Sequence, residues 1–336
     1  MRTLNETGEH QDDPAWLAWR AGGITATDVA RAATGRYGGI YAVVAEKLGT
    51  IEKPPVNDVM LRGHRWQEPI ADAVHALTGL YVVGEETWCQ HTTNDWCRAT
   101  VDGFLAHMAQ ATPDDLLGVL EVKTRGLNVR AAWDYWSVQM QWQMYCTGLD
   151  RAVLADAVVD DEHDRVMALH LTEVEHDSDR ADSLLTLATI MADHIAAGTL
   201  PDPDCPSALD TVKAVTVVAD PDAETVDLTS MADDVRRFIE IKAAVKAVTD
   251  ERDALEARIR AAVGSATVGT AEGLRVSISR PSMVLTKEGE ETVLGDFPAF
   301  GKVVLDRERL KTEAPDIYDL ARQPIGARRL TTKETS

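Results

Sequence analysis

The chain has 336 residues, 45% of them apolar, and carries 34 Lys and Arg against 55 Asp and Glu, a net charge of −21 at pH 7. That length allows one large domain and a smaller one. The acidity excludes a generic nucleic-acid binder, because phosphate contacts need Lys and Arg, and charges interrupt every apolar run too soon for a transmembrane helix.

The polar, acidic stretch 1–13 has no apolar centre of the kind a signal peptide needs, and is expected to be disordered. Cys89, Cys97, Cys146 and Cys205 lack C-x-x-C spacing and read as free thiols of a reducing cytoplasm. The basic groups are not spread evenly. Arg20, Arg31, Arg36, Arg62, Arg65, Arg98, Lys123, Arg125 and Arg130 all precede residue 131, while 150–210 is strongly acidic. A local positive groove inside an acidic protein is the distribution this implies.

In chain order, Pro14 to Arg20 predicts a short helix that stops at Gly22-Gly23, and Ile24 to Ala30 opens another behind a hydroxyl N-cap. Thr25 or Thr27 either caps that helix or, with Arg20, holds a phosphate at its N-terminus. Gly35 to Gly39 is a basic, aromatic loop, and residues 40–48 resume a helix. Asn57 to Leu77 predicts a long amphipathic helix, with Pro69 kinking it or starting its second half. Glu68 at that break is either an exposed helical carboxylate or one that reaches a metal.

From Leu80 the period changes to two. Leu80–Gly84, Thr87–His91, Cys97–Val101 and Phe104–Ala106 predict an antiparallel meander, and Leu117–Thr124 a central strand. Ala131–Thr147 reads as a helix made for burial, yet it carries Gln139, Gln141 and Gln143. Gln141 and Tyr145, four apart, share a face. Strands at 151–159 and 165–171 and a helix at 173–197 complete a mixed sheet flanked by helices.

Leu200 to Pro206 reads as a linker. Beyond it come a long helix, Ser230–Val263, and a hairpin about Ala271-Glu272-Gly273. In the helix Phe238, Ile241, Val245, Val248, Leu255 and Ile259 keep a 3-4 spacing broken at Arg252, the pattern of a short coiled-coil hairpin or a helix-packing seam. The tail 301–336 is expected to be poorly structured or peripheral. No catalytic constellation is visible after residue 206. The organisation expected is therefore a disordered 1–13, a domain at 14–200, a linker at 201–212 and an appendix at 213–336 that is structural or binds a partner.

The chemistry concentrates in Gly118-Val119-Leu120-Glu121-Val122-Lys123-Thr124 and in Ala99-Thr100-Val101-Asp102-Gly103. Alternation puts Glu121 and Lys123 on one strand face. Asp102 precedes a glycine, where a strand can bend and aim a carboxylate at its neighbour. Two carboxylates and a lysine suit a hard divalent cation such as Mg²⁺. Taken alone, E-x-K on a strand is more often a solvated face.

Five motifs in order narrow the choice: Arg20-Ala-Gly-Gly-Ile-Thr-Ala-Thr27, Arg62-Gly63 with Glu68-Pro69, Ala99 to Gly103, Leu120 to Lys123, and Gln139-x-Gln141-x-Gln143 with Thr147-Gly148. Together they resemble the phage lambda-exonuclease/YqaJ-type viral recombinase family of PD-(D/E)XK nucleases, over about residues 14–197. The Gln141/Tyr145 pair is also similar to the motif of RecB-type nuclease domains. The resemblance implies a restriction-endonuclease-like α/β core and a metal-dependent 5′-to-3′ exonuclease on double-stranded DNA that leaves a 3′ single strand. It implies that Asp102 and Glu121 ligate two Mg²⁺ ions (Mn²⁺ as a substitute), with Glu68 completing the shell although its spacing from Gly63 is one residue long. Lys123 would activate the attacking water and Gln141 would orient the phosphate. Arg20, Thr27 and Thr100 would bind the 5′-phosphate, with Thr where Ser is usual, Arg36 would approach the duplex, and Tyr145 would join them in contacting DNA. A homotrimeric ring around DNA, a single-strand annealing protein as partner and a location in the bacterial host cytoplasm follow from the same resemblance. An endonuclease of the superfamily and a non-catalytic DNA-binding scaffold are the alternatives. The scaffold is disfavoured by the intact Asp102, Glu121, Lys123 and Gln141.

Overall fold

The computed structural model describes residues 2–3, 14–51, 57–215, 227–278, 282–285, 310–312, 314–320, 322–325 and 330–334. The chain forms two compact units, Met1–Ala223 and Glu224–Ser336.

The first unit begins with β1 (Arg2–Thr3), α1 (Pro14–Ala21), β2 (Ile24–Thr25), α2 (Ala26–Thr34), α3 (Gly39–Lys47) and α4 (Asp58–Thr78). The strands β3 (Tyr81–Val83), β4 (Thr87–Gln90), β5 (Cys97–Val101), β6 (Gly103–Ala106) and β7 (Leu116–Gly126) follow, then α5 (Trp133–Thr147), β8 (Arg151–Asp160), β9 (Arg165–Glu175), α6 (Ser178–Ala197) and α7 (Leu209–Val215). The expected α/β core is present, as a five-stranded mixed sheet of order β3-β6-β7-β8-β9 and a four-stranded sheet of order β1-β4-β5-β2. Only β7·β8 in the first sheet and β2·β5 in the second are parallel.

The meander expected over residues 80–106 is not what forms. The hairpins nest: β4 pairs with β5 while β3 reaches past them to β6. The consequence is a change of sheet between β5 and β6, and Asp102 is the residue at that change. Gly103, just after it, tolerates no side chain, since a Cβ there would come within 2.6 Å of Val82 Cγ1. This close approach is what lets β6 sit against β3.

Helix ends follow their local chemistry. Thr25 caps α2 in a reciprocal box with Asp28, and Asn57 caps α4 through its side chain to Val59 and Met60. Pro69 lies within α4, which runs unbroken from Asp58 to Thr78. Helix α5 is buried on nearly all sides: Val138, Trp142 and Cys146 pack with α2, α3 and α6, whereas Trp136, Met140 and Met144 pack on β7 and β8. A third cluster joins Ile70 and Val74 of α4 to Leu120 and Ala155. At about 25 cal/mol per Å² of apolar area, these clusters hold the sheet and α5 in a fixed relation.

The stretch 201–212 is packed onto this unit: Ser207 Oγ donates to Gly35 O at 2.6 Å and accepts from Gly38 N at 2.8 Å. Most of 1–13 lies outside the described residues, but Arg2–Thr3 pair with Cys89 and Gln90.

The second unit holds α8 (Ala232–Val263), a hairpin of β10 (Val268–Ala271) and β11 (Leu274–Ile278), then β12 (Ser282–Leu285), α9 (Pro315–Leu320), β13 (Arg322–Ile325) and β14 (Leu330–Glu334). The hairpin turn sits at Glu272-Gly273, both with positive φ, as a tight two-residue turn requires. The tail is more ordered than expected, since β14 pairs with β11 over Leu330–Glu334 and β13 pairs with β12.

Candidate active site

Glu121 and Lys123 lie on the same face of the central strand β7, and Asp102 reaches them from the β5–β6 bend. Its Oδ2 accepts from the backbone N–H of Val122 at 2.7 Å. Lys123 Nζ contacts Glu121 Oε1, and Glu121 is only 3% exposed. Burial, and then the charge of Glu121, push the Asp102 carboxyl up to about 7, against the opposing pull of Lys123 and the Val122 N–H. Burial disfavours the Lys123 ammonium, but Glu121 and Asp102 outweigh it and raise Lys123 to about 12. The site thus holds one firm positive charge beside an aspartate whose ionisation is disfavoured by burial and by the charge of Glu121.

Helix α5 covers this cluster with the stripe Tyr135–Gln139–Gln143, four residues apart. Gln143 is buried; its Nε2 donates to Glu121 Oε2 and to Thr100 O, the latter at 3.3 Å. Gln139 Nε2 donates to Thr27 Oγ1 at 3.3 Å. Both Oε1 atoms are buried without a hydrogen-bond partner. Tyr135, next to Lys123 and Arg31, is pushed up to about 12, chiefly by burial.

A second group of residues adjoins the first through Thr100. Trp16, 2% exposed, donates from Nε1 to Thr100 Oγ1 at 3.0 Å. Arg20 stacks its guanidinium over the Trp16 ring at 5.0 Å. Helix α1 is held there by Trp19 stacked on Trp88 and by Arg98, which bonds Trp19 O. Thr25 is the cap of α2, so the hydroxyl of Thr27 is free to meet Gln139. Asp28 is buried and bonded to Thr25 and, at 3.0 Å, to Lys47; Lys47 and Arg20 help hold its carboxyl below the usual range although burial pushes the other way.

The structure therefore gathers Asp102, Glu121, Lys123, Thr100, Thr27 and Arg20 into one continuous region. Other expected residues lie elsewhere. Gln141 faces away from the carboxylates: its Nε2 donates to Glu175 O at 2.8 Å, and its Oε1 accepts from Asp177 N at 2.9 Å, tying α5 to the end of β9 and the cap of α6. Two residues from either Gln139 or Gln143 is a rotation of roughly 200° about a helix, so only one of these sets can face the strand. Tyr145 accepts from Asn94 Nδ2 at 2.8 Å and stacks on His91, on the turn between β4 and β5. Glu68 is exposed on α4; it acts on Glu85, whereas the charges felt by Asp102 are those of Glu121, Lys123 and Glu86. Arg36 pairs with Asp134 at the surface.

Gln143 and Trp16 are the contributors that sequence reasoning missed. The only signal was a third glutamine in a helix otherwise made for burial. Glu86 was missed as well. It directly precedes Thr87, the partner of Val101, so the register carries it toward Asp102, and its φ of 54° is left-handed.

A mixed sheet whose central strand presents Glu-x-Lys beside an aspartate from the adjoining bend is the PD-(D/E)XK arrangement. Within that class a narrower likeness is found: residues 15–150 match the model of the YqaJ-like viral recombinase domain. Similar solved structures include LHK-Exo in complex with dAMP, with 22% identity over 61% of this chain and 100% of that one and a TM-score of 0.43. The alkaline exonuclease LHK-Exo from Laribacter hongkongensis gives 21%, 61%, 100% and 0.42. A phage-related exonuclease from Haemophilus somnus 129PT gives 11%, 52%, 96% and 0.39. No curated protein sequence matches the chain.

Proposed function

We propose that the protein is a metal-dependent exonuclease that degrades duplex DNA 5′ to 3′ from its ends and leaves a 3′ single strand. The observation that carries this reading is the grouping of Asp102, from the β5–β6 bend, with Glu121 and Lys123 of the central strand, to which Trp16, Gln139 and Gln143 link Arg20, Thr27 and Thr100.

The donor set fits a hard divalent cation. It is all oxygen, the two carboxyls repel one another until a cation relieves them, and the two orphaned glutamine oxygens are acceptors for the waters of a hydrated ion. Among the described residues no third His, Cys, Asp or Glu joins the pair. That suits Mg²⁺, which takes one or two carboxylates and completes its shell with water and substrate phosphate. Asp102 and Glu121 would hold the ion, with Mn²⁺ as a substitute; a second ion would rest on Asp102 and substrate oxygens, because Glu68 stands apart. Bound there, the metal supplies a more acidic water and a counter-charge to the phosphate.

The remaining roles belong to the chain's own groups. Lys123, firmly protonated, stabilises negative charge developing on the phosphate and orients the attacking water. Gln143 holds the Glu121 carboxylate in one rotamer, and the buried wall of α5 excludes bulk water on that side. Arg20 and the Thr27 and Thr100 hydroxyls form the anion pocket for a 5′-phosphate, with Trp16 fixing Thr100. Such a pocket favours chain ends over internal bonds. A ring of three copies would let the acidic surface face outward while the basic residues line the DNA channel. The single strand left behind would pass to an annealing protein in the bacterial host cytoplasm. Among the described residues no helix is long and apolar enough to cross a membrane.

The test is digestion of linear duplex with 5′-phosphate or 5′-hydroxyl ends, in Mg²⁺ or EDTA, by wild type and Lys123→Ala. Mg²⁺-dependent release of mononucleotides, faster from phosphorylated ends and lost in the variant, is the expected result. Nicking of closed circular DNA would move the assignment to an endonuclease, and no cleavage of any duplex would refute catalysis.

A further inference from the structure

We propose that α8 is a self-association surface on which two copies of the chain pair antiparallel, about a two-fold axis near Asp250. At 32 residues the helix is long, yet none of them is buried. A helix gains most of its stability in a protein by packing an apolar face, and here that face is exposed: Phe238 is 66%, Val245 59% and Val248 65% accessible.

The exposed positions are not scattered. Numbering a heptad from Phe238 puts Phe238, Val245, Arg252 and Ile259 at a and Ile241, Val248, Leu255 and Ala262 at d. This is a seam for a second helix, sustained over almost four heptads. The flanking e and g residues decide the orientation. In a parallel, in-register pair each g residue faces the e residue five positions on. That sets Arg237 against Lys242 and Glu251 against Glu256, and both contacts are repulsive.

An antiparallel pair centred at residue 250 removes both of those contacts and uses the whole seam; its one like-charge contact, Glu251 on Glu251 of the second copy at the g positions, lies beside the two Arg252 side chains that offset it. Its layers are Phe238 on Ala262, Ile241 on Ile259, Val245 on Leu255, and Val248 on Arg252, each occurring twice. The bulkiest side chain meets the smallest. At the e positions Lys242 of one copy faces Glu256 of the second, twice, and Val235 faces Val263. Arg252, the one polar residue in the seam, sits near the axis beside Glu251 of the second copy, where its charge is compensated and where it disfavours a slip in register. Sliding by one heptad either sets Arg237 against Arg258 or leaves Phe238 and Ile241 outside the seam. Within its own helix Glu256 uses Oε1 for Arg260, at 2.7 Å, which leaves the other oxygen for Lys242.

Sedimentation of the full-length chain tests this through charge swaps on exposed positions, with circular dichroism confirming that each variant is folded. Lys242→Glu alone and Glu256→Lys alone each turn two attractive contacts into two repulsive ones, and raise the dissociation constant of self-association by roughly tenfold. The double variant restores it. Val245→Asp, which puts two carboxylates into the seam, weakens pairing more than either swap. Oxidation of a mixture of Lys242→Cys and Glu256→Cys chains yields a disulfide between unlike copies. Tighter association in either single swap would mean parallel pairing and overturn the proposal. So would no self-association in the wild type, or the same mass distribution in wild type and Val245→Asp.

Discussion

Gln143→Leu separates the two glutamine faces of α5. The substitution keeps the volume of a fully enclosed side chain and deletes the NH₂ group that Glu121 Oε2 and Thr100 O accept. A hydrogen bond to a charged group contributes about 1.5–3 kcal/mol. Removing a group that orients a metal ligand typically lowers metal affinity by about 10–100-fold. The expected outcome is a Mg²⁺ midpoint for duplex cleavage moved up by roughly that factor, with weaker Mn²⁺ binding by electron paramagnetic resonance in the absence of DNA. Gln141→Leu is the control, because it removes two part-buried hydrogen bonds, to Glu175 O and from Asp177 N, each contributing about 0.5–1.5 kcal/mol. It should lower Tm and leave the Mg²⁺ midpoint where it was. An unshifted midpoint in Gln143→Leu, or a shifted one in Gln141→Leu, would refute the assignment of faces.

Four further outcomes follow from the same geometry. Lys123→Ala should abolish cleavage while leaving a folded protein, and turnover near the wild-type rate would remove Lys123 from the chemistry. The Asp102 carboxyl, raised to about 7 from an ordinary 3.8, destabilises the metal-free fold when ionised: the penalty is absent below the ordinary value and complete above about 7. In EDTA, Asp102→Asn should therefore raise Tm at pH 8 and change it little at pH 4; an equal effect at both would contradict the shift. Thr100→Val breaks the contact with Trp16 and removes a pocket hydroxyl, so the preference for 5′-phosphorylated ends should narrow while internal nicking stays absent. Tyr145→Phe loses only the hydrogen bond from Asn94, and cleavage rates within about twofold of wild type are expected.

What the sequence made legible, and what it hid, divides along physical lines. A strand repeats every two residues, so one look at Glu121-Val122-Lys123 settles that both charges share a face, whatever the strand pairs with. The Asp102-Gly103 bend is likewise local: a carboxylate followed by a residue that must lack a Cβ. The pairing of β3 with β6 around the β4–β5 hairpin is not local, since adjacent strands usually pair, and a meander was the reasonable expectation. Helix α5 fails for a third reason. An amphipathic helix announces its phase through its polar side, but α5 is apolar around its whole circumference, with Trp136, Met140 and Met144 on one side and Val138, Trp142 and Cys146 on another. Three glutamines on such a helix carry no mark of which is aimed at the sheet. Their phase is set by Trp142, whose Nε1 donates to Arg98 O at 3.1 Å, and by the Gln141 clamp on Glu175 and Asp177. Once those contacts lock the rotation, Gln139 and Gln143 have only the Thr27–Glu121 side left to face. The residues that look structural in α5 therefore decide which glutamine reaches the carboxylates, and a change at Trp142 should act on the site without touching it.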